Sequence, residues 1–220
     1  MDWEIIGHEW AVETLKKHVH PETVRHAFLF CGPQGVGRRT LALSYARALN
    51  CLEEDISKRP CGTCRICRQI KEMTHPDLIV VQPEQPGVQI KIEQVRELQH
   101  TLSLAPYEAR YRVALLLHFD EASLNAMNSM LKTLEEPAPQ VVIILTAENP
   151  ELLLPTIVSR CEVLQLRALS VAQTGSGMRK LWGLPEEQAS LFAHISGGRP
   201  GYARSLFSDA EAYARRRAVL

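Results

Sequence analysis

The chain has 220 residues, with Lys+Arg and Asp+Glu both at 25 and a formal net charge of zero. That length suffices for one large domain or two small ones, and the balanced charge excludes a chain-wide cationic field for nucleic acid while leaving local patches open. No run approaches the ~20 apolar residues of a membrane span, and the acidic start Met1-Asp2-Trp3-Glu4 lacks the features of a signal peptide. We therefore expect a cytoplasmic protein, where clustered cysteines bind metal more often than they form disulfides.

Apolar periodicity predicts a helix from Gly7 to His20 with Trp10, Val12, Leu15 and Val19 on or near one face. The apolar run Ala27–Phe30 then predicts a strand, followed by the glycine-rich turn Gly32-Pro33-Gln34-Gly35-Val36-Gly37-Arg38-Arg39-Thr40 and a helix from Arg38 to Leu52. A strand, a glycine-rich turn and a helix N-terminus make a phosphate loop, whose free N–H groups face phosphate. The usual loop closes on Gly-Lys-Ser/Thr, but here Arg38 stands at the lysine position and Arg39 at the hydroxyl position. Arginine is a broad planar fork where lysine is a compact charge, and Arg39 has no hydroxyl for Mg²⁺. Thr40 follows one residue late, about 100° further round the helix. Arg38 and Arg39 are open to two readings: solvated cations at a helix start, or side chains that fill the phosphate site themselves.

Cys51, Cys61, Cys64 and Cys67 follow with the spacing C-x9-C-x2-C-x2-C. Two intervening residues let paired thiolates reach one ion from a tight turn, and four thiolates leave no open coordination position. We expect a closed, structural Zn²⁺ site on residues 51–67. A redox pair leaves two of the four cysteines unexplained, and metal-free buried cysteines are the other alternative. Cys31 and Cys161 each abut an apolar strand and are expected to be small buried hydrophobes.

Further strands are predicted at 77–81, 112–117, 141–145 and 161–166, with helices at 91–104 and 122–134. Continuous apolar strands alternating with helices predict an α/β fold, a five-stranded parallel sheet covered on both faces. After Leu166 only helical periods remain, broken by Gly175, Gly177, Gly183 and the turn Gly197-Gly198-Arg199-Pro200-Gly201. We expect a phosphate-loop domain over residues 1–167, a small helical lid over 168–208, and the start of a further helix over 209–220. The chain reads as though it ends partway along that helix.

Several blocks converge in order: Ile6-Gly7-His8, the segment His26 to Pro33, the cysteine cluster, Thr74-His75-Pro76-Asp77, the block Leu131 to Pro137 and Ser159-Arg160-Cys161. In this order they resemble the clamp-loader ATPases of bacterial DNA polymerase III, members of the AAA+ class. The resemblance runs from about Ile6 to Leu166 and more weakly to Leu206. It implies a DNA-replication role with motor (tau/gamma) and delta subunits as partners, and with sliding clamp and primer-template DNA met through the assembled complex. A third, collar domain belongs to the family and has no counterpart here. Motor subunits keep the Lys-Ser/Thr pair. The degraded loop instead resembles the delta-prime type, a stator that binds no ATP·Mg²⁺ and hydrolyses none; the alternative is an active tau/gamma-type ATPase with a variant loop.

The resemblance also implies site roles. Arg160, in Ser-Arg-Cys, is implied to be an arginine finger offered to the neighbouring subunit's ATP, the alternative being a cap on the helix before it. Asp120-Glu121 look like a Walker B pair. Counting back without gaps from Leu131, however, places the motor's acidic pair on Leu117 and His118, which leaves Asp120 and Glu121 as residues favouring the start of the next helix. Arg199 and Arg204 flank the position of the motor's distal sensor arginine.

Overall fold

A computed structural model describes residues 3–85 and 87–208. The segment 209–220, expected to begin a further helix, lies outside these residues.

Five parallel strands form one sheet in the order β2-β3-β4-β1-β5. They are β1 (Ala27–Cys31), β2 (Leu78–Val81), β3 (Arg112–Leu116), β4 (Val141–Ala147) and β5 (Glu162–Gln165). The central strands β1, β3 and β4 are buried along their whole length, which is why they read as unbroken apolar runs. At the edge, β5 alternates, with Leu164 buried and Val163 exposed. It was expected to be a continuous buried strand, but an edge strand meets one neighbour and needs fewer apolar residues. Cys161 accordingly lies outside β5 and is only partly buried, unlike Cys31 on β1, which is fully buried.

Helices α1 (Glu9–Lys17), α2 (Arg38–Asn50) and α3 (Arg65–Lys71) contribute to the core on one face of the sheet. Helices α4 (Ile92–Leu102), α5 (Leu124–Glu135) and α6 (Pro155–Val158) cover the other. Successive β1 side chains serve opposite faces: Phe28 and Phe30 pack with Tyr45 and Leu41, whereas Leu29 packs among Val95, Leu98 and Met130. In α1, Leu15 is fully buried and Val12 nearly so, while Trp10, expected on the same face, is half exposed; Val19, expected in this helix, is buried just past its end. The buried stripe runs through Ala11 and Leu15, with Trp10 on its rim.

Helices α7 (Val171–Trp182), α8 (Glu186–Ile195) and α9 (Pro200–Ser208) share a separate apolar cluster built on Met178, Ala189, Phe192, Ala193 and Leu206. Ile6, from the segment before α1, is part of that cluster. Among the described residues no helix is long and apolar enough to cross a membrane.

Candidate functional site

In a parallel sheet, ligand sites form at the carboxyl ends of the strands, where the strand order reverses. Here the loop after β1 meets the ends of β2, β3 and β4 around a cavity of about 1070 Å³. The glycine-rich turn is its floor. Gly32 donates its N–H to the carbonyls of Ala147 and Glu148 at 3.2 and 3.1 Å, which ties the turn to β4. A side chain at Gly32 would put its Cβ 2.4 Å from the Leu166 carbonyl oxygen. Gly35 has φ +82°, and its carbonyl accepts the Gly201 N–H at 2.7 Å, so α9 sits directly on the turn. Gly37 caps α2, its carbonyl accepting the Leu41 N–H at 2.9 Å. His8 braces the turn from behind: its Nε2 lies 3.2 Å from the Val36 carbonyl, a contact that requires the N–H there. Burial lowers the His8 pKa, consistent with a neutral donor.

The two arginines at the start of α2 behave differently. Arg38 is 6% exposed and lines the cavity, with Nη1 buried and without a hydrogen-bond partner. It is therefore no solvated cation. Burial lowers its pKa, and the carboxylates of Asp120 and Glu148 act in the opposite direction. Arg39 is exposed and reaches the Met73 sulfur at 3.1 Å. Thr40 is exposed and also lines the cavity.

Leu117 and His118, just beyond β3, line the cavity with Thr146 of β4. Thr146 Oγ1 accepts the His118 N–H at 2.9 Å, so the two positions reached by the gap-free count stand in the same cavity as the glycine-rich turn. Asp120 lies in the following 3-10 turn, Phe119–Glu121, and is not part of the lining. The expected helix-start role for Asp120 and Glu121 is not what the structure has: Ser123 caps α5, and Asp120 Oδ2 instead accepts the Glu148 N–H at 2.9 Å. The carboxylate fastens the end of β3 to the end of β4, a long-range contact that spacing along the chain cannot reveal.

The charged residues of the remaining lining are mostly cationic. Arg47, Lys71, Arg199 and Arg204 line the cavity with Arg38 and Arg39, against the carboxylate of Glu4. Glu4 meets Arg47 at 3.1 Å and Lys71 at 2.5 Å. Arg199 and Arg204 lie over the rings of Tyr202 and Trp182. Glu4, Arg47 and Lys71 escaped the sequence reading because they come from separate segments whose proximity only the fold creates.

Arg160 stands between α6 and β5, one third exposed. Its Nη1 donates to the Thr156 carbonyl at 2.7 Å, and its Nη2 forms an ion pair with Glu135 at the end of α5. The helix-capping contact weighed as an alternative is thus present.

The four clustered cysteines converge. Their sulfurs all lie within 4.8 Å of one another, and none is in a disulfide. Four thiolates on one ion at about 2.3 Å stand roughly 3.8 Å apart, so this cluster could hold a metal ion with little adjustment. Backbone N–H groups of Cys61, Cys64 and Cys67 point at the sulfurs of Cys51, Cys61 and Cys64 at 3.3, 3.3 and 3.4 Å. Such donors favour thiolate. For Cys61, burial raises the pKa, but the N–H groups of Cys64 and Thr63 and the Thr63 hydroxyl outweigh it and bring it to about 6. Burial raises those of Cys51 and Cys67.

On the sheet's opposite end, Asp77 is 1% exposed and accepts the backbone N–H groups of Tyr107, Glu108 and Ala109 at 2.7, 2.9 and 2.9 Å. It also pairs with Arg112 at 3.1 Å. Burial alone would raise its pKa; the three N–H groups and Arg112 lower it instead. Glu108 in turn binds Arg65 of α3 through both oxygens.

Comparison with known proteins decides the family. The sequence model described as "DNA polymerase III, delta subunit" matches residues 7–170. The chain belongs to this DNA polymerase III delta subunit family. Within the wider set of relatives, it is 37% identical over 158 residues to DNA polymerase III subunit delta' of Bacillus subtilis, covering 72% of this chain and 47% of that protein. It is 35% identical over 170 residues to subunit tau of Escherichia coli K12, covering 77% of this chain and 26% of that one. The chain thus spans about half the length of its delta' relative and about a quarter of its tau relative. In fold it is similar to a DNA polymerase III gamma subunit-related protein from Thermotoga maritima, with a TM-score of 0.56 at 20% identity over 90% of this chain and 71% of that one. The chain is thus similar to both delta' and tau sequences.

Proposed function

We propose that this chain is the stator of a clamp loader of the delta-prime type, working in DNA replication without hydrolysing ATP itself. The observation that carries this reading is the phosphate corner, where Arg38, Leu117 and His118 stand. In-line phosphoryl transfer needs a compact cation on the phosphates, a hydroxyl and a carboxylate on Mg²⁺, and a group to orient water. Arginine, leucine and histidine supply none of the Mg²⁺ ligands. The direct seating of α9 on Gly35 supports a lid held in one position rather than one that swings with nucleotide.

On this reading residues 1–167 form the AAA+ domain and 168–208 the lid. Cys51, Cys61, Cys64 and Cys67 hold a structural Zn²⁺, which would supply a closed cross-link with no open coordination position and no chemistry. The partners are the motor (tau/gamma) subunits and the delta subunit, with clamp and primer-template DNA engaged by the whole assembly. Arg160 reaches the neighbouring motor's ATP, where a guanidinium on the γ-phosphate stabilises charge that develops in the transition state.

Two measurements test it. Titration calorimetry of ATP·Mg²⁺ against the chain should show no tight binding, whereas the tau/gamma-type reading requires it. In a reconstituted loader, Arg160→Ala should leave assembly intact and slow DNA-stimulated hydrolysis by orders of magnitude. Normal assembly with parental turnover sinks the trans role.

A further inference from the structure

We infer that Glu135 is a positioning residue for Arg160, fixing the guanidinium in the orientation in which it meets the neighbouring subunit's nucleotide. This rests on the reading of Arg160 as the group presented in trans. A long side chain at a subunit edge ordinarily samples many rotamers, and an arginine finger works only if its fork is in place when charge develops. Here the fork has two anchors. Thr156 takes one Nη1–H through its carbonyl, and Glu135 takes one Nη2–H through Oε1. A guanidinium has five N–H donors, so three stay available for an incoming phosphate.

Both anchors belong to rigid elements. Glu135 is the last residue of α5, one position after Leu134, which is 1% exposed in the core. Thr156 belongs to α6, beside the fully buried Ile157. Backbone bonds from Ser159, Arg160 and Cys161 to Pro155, Ile157 and Val158 wind the segment carrying Arg160 onto α6.

Glu135 also stands where the helix dipole disfavours a carboxylate. The C-terminal end of a helix dipole favours cations, and α5 ends on two carboxylates, Glu135 and Glu136. The guanidinium of Arg160 offsets that placement, which makes the pair mutually supporting. The pair is also solvent-accessible, with side chains 32% and 49% exposed, so the guanidinium is not sealed off from an incoming anion.

The test uses the complete reconstituted loader, carrying Glu135→Ala, Glu135→Gln, Arg160→Ala or the double variant with both alanines. Glu135→Ala should lower DNA-stimulated turnover about tenfold with KM for ATP unchanged, because the loss is one of orientation in the transition state. Glu135→Gln keeps an acceptor oxygen and should recover most of that loss. In the Arg160→Ala background, Glu135→Ala should add nothing. Parental turnover in Glu135→Ala, turnover above the parent, or a loss additive with Arg160→Ala would each overturn the assignment. A second readout needs no partner: the Nε–Hε resonance of Arg160 in the isolated chain should lose its order in Glu135→Ala. If that resonance is unchanged, Glu135 does not position Arg160, whatever the loader does. If Arg160→Ala instead turns over at the parental rate, it is the trans role that fails, and the resonance still decides the contact.

Discussion

The backbone N–H of Gly201 donates to the carbonyl of Gly35 at 2.7 Å, joining the first turn of α9 to the turn that would cradle phosphate. A Cβ on Gly35 would lie 2.6 Å from the Tyr202 nitrogen, and Gly35 has φ +82°. Gly35→Ala meets both backbone strain and that contact. It should destabilise the protein by about 1–3 kcal/mol and be visible as a lowered urea midpoint. Pro33→Ala, on the exposed side of the same turn, should cost far less and serves as the control.

Restoring the phosphate-loop residues alone should not restore an ATPase. With Arg38→Lys and Arg39→Thr the loop regains its cation and hydroxyl, yet Leu117 and His118 still leave Mg²⁺ without its carboxylate. Steady-state hydrolysis by that double variant should stay at background. Turnover that appears with the loop changes alone would contradict the reading of the phosphate corner.

For the cysteine cluster, one Zn²⁺ per chain is expected by elemental analysis, with sulfur–zinc distances of about 2.3 Å by X-ray absorption. Cys64→Ser removes a ligand that also caps α3 and accepts the Cys67 N–H, so it should lose both metal and thermal stability. Retention of stoichiometric metal by this variant would exclude the four-sulfur site.

Asp77 carries a pH dependence of defined sign. Its native pKa is held below the unfolded value of about 3.9, so its contribution is complete above that value and is lost as pH falls through the lowered native one. Asp77→Asn leaves Arg112 buried without its carboxylate and should cost roughly 3–5 kcal/mol at neutral pH. The difference from the parent should shrink on acidification, read by denaturant unfolding at a series of pH values. A difference that grows toward low pH would show that Asp77 acts through something other than its charge.

What the sequence made legible follows from locality. The central strands and the phosphate turn are written in contiguous residues, so Ala27–Phe30 and Gly32–Thr40 could be placed by inspection. The cysteine cluster is nearly local as well, with three of its four members within seven residues. Edge strand β5 was placed but its burial was misjudged, because strand order is not encoded in any one strand. The long-range partners were hidden for the same reason. Asp77 stands in the block Thr74-His75-Pro76-Asp77, but its three N–H donors lie some thirty residues away. Asp120 is nearest in sequence to α5, whereas its partner Glu148 is brought over by the pairing of β3 with β4.

Helix α3 is a strut with an ion pair near each end. It starts beside Cys64, where Arg65 grips Glu108, and it ends at Lys71, which grips Glu4 in the wall of the cavity. Seven residues span about 10 Å, so disturbance at the sulfurs has a short mechanical route to that wall. On the proposed function, metal content is then a variable to control in a nucleotide titration. If the cysteines hold the proposed Zn²⁺, protein stripped by a chelator should present Glu4 and Arg47 differently from loaded protein, and nucleotide affinities measured on the two should differ.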